Sequence, residues 1–399
     1  MLLSNRLNSI KPSPSIAANA LVVELRKQGR DIVNFTIGEP DLATPDHIVQ
    51  AAVEAMQNGD THYTAAAGTV EVRRAIAEKL QRDNQLSYGI DEIVVGVGGK
   101  HIIYHAFAAT LNAGDEVVVH SPYWVSYPDI ATLNEATPVI IDGDESNGFK
   151  LRPEDLARAI TPKTKWVVLN TPNNPTGAVY TEQELSGLAE VLRLHPHVLI
   201  LSDEIYEHFV FGKRRHLSLL NVAPDLKDQT LVLNGVSKGY AMTGWRLGFG
   251  AGPKALIAGI VKLISQTTTC PTSISQAAAV AAFAGDQAPV EKMRDIYAAR
   301  RQLMMDLLGE IPELSCAAPK GAFYVFPNVS GLFGKRKPDG EKIQSDDDVV
   351  NYLLNEVGVA TVSGTAYGMS PYIRLSFATN SDQISEGLRR IKDAIERLR

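Results

Sequence analysis

A chain of 399 residues is longer than the roughly 100 to 200 residues that one core organises, so two or three domains are expected. With 45% hydrophobic and 21% charged residues it has the apolar content that disordered chains lack. Lys and Arg total 39 against 45 Asp and Glu, a formal charge of -6, which leaves no basic excess to neutralise phosphates and excludes nucleic acid as an expected partner.

The opening MLLSNRLNSIKPSPS has no continuous apolar stretch of the signal-peptide kind, and no run of about 18 apolar residues follows that would span a bilayer. Neither export nor a membrane is expected. The two cysteines, Cys270 and Cys316, are far apart and form no C-x-x-C pair, which fits a reducing, cytoplasmic setting. From Thr44 the segment TPDHIVQAAVEAMQNG reads as a helix with Thr44 as cap, Pro45 at the first position and Gly59 just past the end. Short β-rich runs then alternate with helical stretches: EIVVGV at 92 to 97, EVVVH at 116 to 120, PVIID at 138 to 142, WVVLN at 166 to 170, VLILSDE at 198 to 204 and TLVLNG at 230 to 235. Several are apolar at consecutive positions, as strands covered on both faces by crossover helices must be. The expected fold is α/β, a three-layer α/β/α large domain with a mostly parallel sheet. After about residue 253 long helical segments take over, followed by GAFYVFPNV at 321 to 329, YIRLSFA at 372 to 378 and a closing helix rich in Arg, Glu and Lys. These imply a smaller α+β domain. The expected division is 1–44 for an N-terminal arm and part of the small domain, 45–310 for the large domain and 311–399 for the small C-terminal domain, with 331–348 polar enough to be an exposed insertion.

In doubly wound sheets ligands bind beyond the carboxyl ends of the strands. Five junctions there carry chemistry. Gly98-Gly99-Lys100 follows EIVVGV and opens a helix, so its backbone N–H groups could hold a phosphate, although such glycines often serve only the turn. A P-loop fails because Val94 stands at the first glycine position and His101 follows the lysine; a dinucleotide fingerprint fails because His101 stands where its third glycine belongs. A smaller phosphate-bearing cofactor is the stronger reading. Trp124 in SPYWVSYP offers a flat face to an aromatic ring, or simply fills a core. NTPNNPTG leaves the Asn174 amide free to donate and accept, and SDEIY places Asp203 at the end of an apolar strand with Tyr206 beside it. A carboxylate buried there needs a cationic partner. Last, NGVSKGYAMTGWRLGFG carries Lys238, with Arg246 eight residues on. An amine, a carboxylate, a phenol, an amide, an aromatic face and an anion site on successive strand ends do not assemble by chance.

These motifs resemble the fold-type I aminotransferases, specifically the bacterial branch of the aspartate aminotransferase family (class I), over nearly the whole chain: GEP with Gly38, YTAAAG with Tyr63, GGK, SPYW, NTPNNPTG, SDEIY, SKGYAMTGWRLG and YIRLSFA with Arg374. The resemblance implies pyridoxal 5'-phosphate bound as a Schiff base to Lys238, Asp203 paired with the pyridine nitrogen, Tyr206 and Asn174 donating to the ring oxygen and Trp124 stacking on the ring. It implies that Arg246, Ser237, the turn Gly98-Gly99-Lys100 and, across a homodimer interface, Tyr63 hold the phosphate. Arg374 would grip the substrate α-carboxylate, with Gly38, Asn174 and Trp124 beside it. No metal is implied. One departure is Gly235, where many relatives carry a serine phosphate ligand three residues before the lysine.

The activity so implied is ping-pong transfer of an amino group between an L-amino acid, aspartate first, and 2-oxoglutarate, with Lys238 moving the proton between substrate and cofactor. Some relatives with a segment like Arg6-Leu7-Asn8-Ser9-Ile10-Lys11-Pro12-Ser13 also aminate prephenate. Lys11 could reach a second substrate carboxylate, or be an ordinary surface lysine. A lyase or decarboxylase on the same scaffold is the rival enzyme. A cofactor-sensing transcription regulator would need a basic DNA-binding domain, for which there is no room before Gly38.

Overall fold

The structure, a computed structural model, describes residues 5–10, 12–213 and 215–399. Its strands are β1 (Val33–Asn34), β2 (Ile93–Gly96), β3 (Glu116–His120), β4 (Thr137–Ile141), β5 (Thr164–Asn170), β6 (Leu199–Asp203), β7 (Thr230–Gly235), β8 (Gly248–Ala251), β9 (Tyr324–Val325), β10 (Val359–Ala360), β11 (Val362–Ser363) and β12 (Ile373–Ser376). A seven-stranded sheet runs in the order β2-β8-β7-β6-β5-β3-β4. It is parallel throughout except for β8, which lies antiparallel to both β2 and β7.

The consecutive apolar runs are resolved by alternation. Ile93, Val95, Val118, Val167, Leu169, Ile200 and Val232 enter one core, while Val94, Val117, Val119, Trp166, Val168, Leu201, Leu231 and Leu233 enter another on the opposite face. Since successive strand side chains point to opposite faces, a sheet with a core on each side admits no polar alternation. A third core gathers Tyr206, Phe209, Met293, Tyr297, Phe323, Tyr324, Ile373, Leu375 and Leu388 around β9, β11 and β12, which form a three-stranded antiparallel sheet. The helix Ala288–Leu308 places Val290 in the first core and Met293, Tyr297, Met304 and Leu308 in the third, so one rigid element ties the two regions together.

Three local expectations need correction. The helix after Thr44 spans Asp46–Gln57 with Pro45 at the cap position. Thr44 caps nothing: its Oγ1 donates to the Ala241 carbonyl (2.8 Å) and accepts from Trp245 Nε1 (3.1 Å), tying it to the loop that follows Lys238. Strand β8 was not foreseen, because GFGA carries no β-branched pattern. Its glycines allow close approach: a Cβ at Gly248 would stand 2.5 Å from the Gly99 nitrogen, and one at Gly235 would stand 2.8 Å from the Gly248 Cα. Any side chain at Gly235 would push β7 from β8, which accounts for the missing serine. Finally, the 331–348 segment is exposed only in part, since Leu332 and Ile343 are buried in the third core. Among the described residues no helix is long and apolar enough to cross a membrane.

Candidate functional site

A cavity of about 610 Å³ opens where β5, β6 and β7 end, and its wall includes Gly38, Gly99, Lys100, Trp124, Asn174, Asp203, Tyr206, Ser237, Lys238, Arg246 and Arg374. Thus eleven of the positions expected from sequence surround one space. Gly98 adjoins it as the residue before the helix Gly99–Thr110. Tyr63 is not in this wall and is 86% exposed. Lys11 lies outside the described residues.

Lys238 is half-buried, and its Nζ donates to the Gly38 carbonyl at 2.6 Å. Burial pushes the amine down to about 8, with Arg374 and Arg246 adding to the effect and Glu39 opposing it. At about 8 roughly a tenth of the amine is neutral near pH 7, against less than one part in a thousand at the ordinary value, and the neutral form is the one a nucleophile or base uses.

Asp203, 4% exposed, closes β6 directly opposite Asn170 at the end of β5. Its Oδ2 accepts from the Tyr127 hydroxyl at 2.6 Å and its Oδ1 from the Ile205 N–H at 3.2 Å. Burial raises the carboxyl to about 6, against the lowering effect of those two hydrogen bonds. No cationic side chain forms an ion pair with it among the described residues. A buried carboxylate that faces the cavity with no cation bonded to it is matched to a cationic group delivered by a ligand, such as a protonated ring nitrogen.

The opposite side of the cavity is cationic. Arg374, 2% exposed, donates from Nη2 to the Thr36 carbonyl (2.7 Å) and from Nη1 to the Asn174 amide oxygen (3.2 Å). Its Nε is buried without a partner, and the guanidinium lies 4.5 Å from the Tyr324 ring centroid. That unspent donor, with a planar fork held over an aromatic face, suits a substrate carboxylate. Tyr206 shares a hydrogen bond with Tyr324 (2.9 Å), and burial holds both phenols neutral, Tyr324 at about 12 and Tyr206 well above its ordinary value.

An anion cradle forms where β2 meets the helix Gly99–Thr110. Gly98, at φ +86°, is pressed by Arg246, whose Nη2 would stand 2.5 Å from a Cβ there. Arg246 itself takes φ +53°, with Nη1 on the Thr243 carbonyl at 3.0 Å. A non-glycine residue in the left-handed region costs energy, and here it sets the guanidinium beside the first N–H groups of a twelve-residue helix. The donor set, the uncompensated carboxylate and the amine together fit pyridoxal phosphate.

Sequence reasoning missed Tyr127, Tyr324, Asn170 and Glu39, all of which touch this machinery. Asn170 Oδ1 accepts from the Asn174 N–H (2.9 Å) and its Nδ2 donates to the Asp203 carbonyl (3.1 Å), so it sets two site residues at once. Glu39 accepts from the Thr243 hydroxyl. Each of the four sits inside a motif already noticed, yet nothing in the motif says which polar residue turns inward.

The family model for aminotransferase class I and II matches residues 30–391. A Rhizobium meliloti aspartate aminotransferase is 45% identical over 395 residues, covering 99% of this chain and 96% of that one. An aspartate/prephenate aminotransferase of Cereibacter sphaeroides is 47% identical over 390 residues, 98% of each chain. Among solved structures, the aspartate aminotransferase from Rhizobium meliloti superposes with a TM-score of 0.97 at 44% identity over all of both chains. That from Thermus thermophilus with maleate gives 0.92 at 40% identity, covering 99% of this chain and 100% of the other.

Proposed function

The chain belongs to the aminotransferase class I and II family, and from that premise we propose that it is a pyridoxal-phosphate-dependent aspartate aminotransferase using 2-oxoglutarate as acceptor. The observation that carries this reading is the Lys238 amine, desolvated to about 8 in one cavity with the uncompensated Asp203 and the half-spent donors of Arg374. When bound, pyridoxal phosphate supplies a carbonyl for imine formation and a protonated ring that accepts the electron pair left on the substrate Cα. The chain does the rest. Arg246 and the N–H groups at the start of the helix Gly99–Thr110 bind the phosphate; Asp203, oriented by Tyr127, holds a proton at the ring nitrogen; Tyr206 and Asn174 reach the ring oxygen and Trp124 covers its face. Arg374 fixes the substrate through its α-carboxylate, which leaves Lys238 Nζ to take and return the proton. One site used in turn by two substrates gives ping-pong kinetics.

Among the described residues four cations line the cavity: Lys100, Lys238, Arg246 and Arg374. Lys100, which the resemblance sets at the phosphate, is here assigned to the second carboxylate of aspartate, the part that the resemblance offered to Lys11. The Lys100 Nζ lies 4.9 Å from the Trp124 ring centroid, and desolvation followed by Arg246 lowers its pKa, with Asp129 opposing. Lys100→Ala should therefore raise KM for aspartate roughly ten- to hundredfold, the worth of one charged hydrogen bond, and leave alanine turnover nearly unchanged. An equal loss for both amino acids removes the assignment.

The exposed Tyr63, with Val49, Met56 and Val70 also exposed, supports a homodimer in which the phenol reaches the partner subunit's phosphate. The whole reading is tested by one titration: the visible band of cofactor-loaded protein should bleach with aspartate and return with 2-oxoglutarate. Bleaching with release of carbon dioxide or a cleaved side chain would point to the lyase instead, and prephenate in place of 2-oxoglutarate tests the second acceptor suggested by the names of the relatives.

A further inference from the structure

Asp203 closes β6, and its neighbours Ser202 and Glu204 turn away from the cavity, as strand alternation requires. Glu204 is 0% exposed. Its Oε1 accepts from the hydroxyls of Ser202 (2.7 Å) and Ser218 (2.6 Å), and its Oε2 from His216 Nε2 (2.8 Å). The other ring nitrogen of His216 is buried with no partner. A proton on that Nδ1 would be a buried unsatisfied donor, so the imidazole is the neutral tautomer with its hydrogen on Nε2. Glu204 therefore has three neutral donors and no cation.

The next carboxylate, Glu207, has a cation of its own: Lys79 bonds it directly, and Asn84 Nδ2 donates to it at 2.6 Å. Ligand-type atoms of Glu204, Glu207 and His216 lie within 4.8 Å of one another, and among the described residues the Lys79 ammonium pairs with Glu207 and stands 3.9 Å from Asp83 but forms no ion pair with Glu204. His208, against Glu207 at 3.4 Å, is kept neutral by burial, which also keeps the Tyr88 phenol neutral; Asp83 is paired with Arg82. Two carboxylates against one ammonium leave the cluster one negative charge in excess.

We infer that Glu204 is a positioning residue whose buried, uncompensated charge stands behind Asp203 and, together with Asp203, holds the proton on the ring nitrogen of the cofactor. Burial leaves this charge little screened by salt, and Glu204 acts to raise the proton affinity of Asp203 itself. The inference rests on the proposed function only through Asp203 facing that nitrogen.

The test uses binding to the cofactor-free protein rather than turnover. Dissociation constants are measured near pH 8 for pyridoxal 5'-phosphate and for its 1-deaza analogue, in which a carbon replaces the ring nitrogen and no ring proton exists. Glu204→Gln is nearly isosteric: its amide oxygen can accept from His216 Nε2 in place of Oε2, and its NH2 can donate to the Ser202 and Ser218 hydroxyls, which both donate and accept. It should weaken the natural cofactor about tenfold, equivalent to one unit of proton affinity, and leave the analogue unchanged. His216→Lys reaches the same neutralisation by adding a cation and should split the two ligands in the same direction, so the inference stays testable should one variant fold poorly. Ser218→Ala removes a hydrogen bond but keeps the charge and should produce no split. An equal loss for both ligands, or no loss for either, overturns the role of Glu204. Failure of the unaltered protein to bind either ligand would instead overturn the proposed function.

Discussion

Lys238→Ala is expected to lower turnover by more than the roughly 10² to 10⁴ that a positioned proton-transfer base contributes, because the same nitrogen also anchors the cofactor. The two losses separate experimentally. Borohydride treatment of the loaded protein followed by peptide mapping should give an adduct at Lys238 in the unaltered chain and none in the variant. Among the described residues Lys100 is the other lysine in the cavity wall and serves as the internal control. An adduct at Lys100, or a variant that retains turnover, sinks the assignment. Added methylamine should restore part of the proton-transfer rate without restoring the adduct, since a small free amine replaces the base but not the tether. The physical ground is desolvation. The Nζ sits on the Gly38 carbonyl at 2.6 Å in a pocket that favours its neutral form, and a water-exposed lysine near its ordinary value would be almost wholly protonated and useless as a base.

Much of this was legible in the chain because the chemistry is sited where strands end, and strand ends are visible as apolar runs halted by polar residues. Asp203 after VLILS and Lys238 shortly after TLVLNG are such interruptions. The same reading fails where function is carried by direction rather than by type. Tyr127 lies three residues after Trp124 in the same motif, yet only the path of the helix Ser126–Leu133 brings its hydroxyl onto Asp203. Tyr324 sits in a run that reads merely as a strand, and it matters because β9 pairs with β12, the strand bearing Arg374. Gly235 illustrates the converse. From the sequence it is a lost phosphate ligand; in the fold it is the place where β7 and β8 approach so closely that no Cβ fits. Strand β8, built on glycine, was invisible for the same reason that it is needed.

Asp203→Asn should lower turnover on the order of 10² to 10³, the cost of deleting one preorganised charge at a reacting centre, while stabilising the cofactor-free chain at neutral pH. The opposite signs come from one cause. Burial raises the carboxyl from its ordinary 3.8 to about 6 in the folded chain, so the folded state holds this proton more tightly than the unfolded one. Its contribution is fully present below about 4 and is lost as pH rises through about 6. At pH 7 the ionised group costs about 3 kcal/mol, two units at 1.36 kcal/mol each. Asparagine avoids that cost: its oxygen can accept from the Ile205 N–H and its amide NH2 can donate to the Tyr127 hydroxyl, which turns to accept. Urea unfolding of the cofactor-free proteins should show the variant ahead by up to that amount at pH 7, with the gap closing toward pH 4. A gap independent of pH would mean that Asp203 is not strained by its charge, and undiminished turnover would mean that the charge is not used. Bound cofactor should reverse the order at pH 7, because the ring nitrogen then supplies the cation that the fold itself withholds.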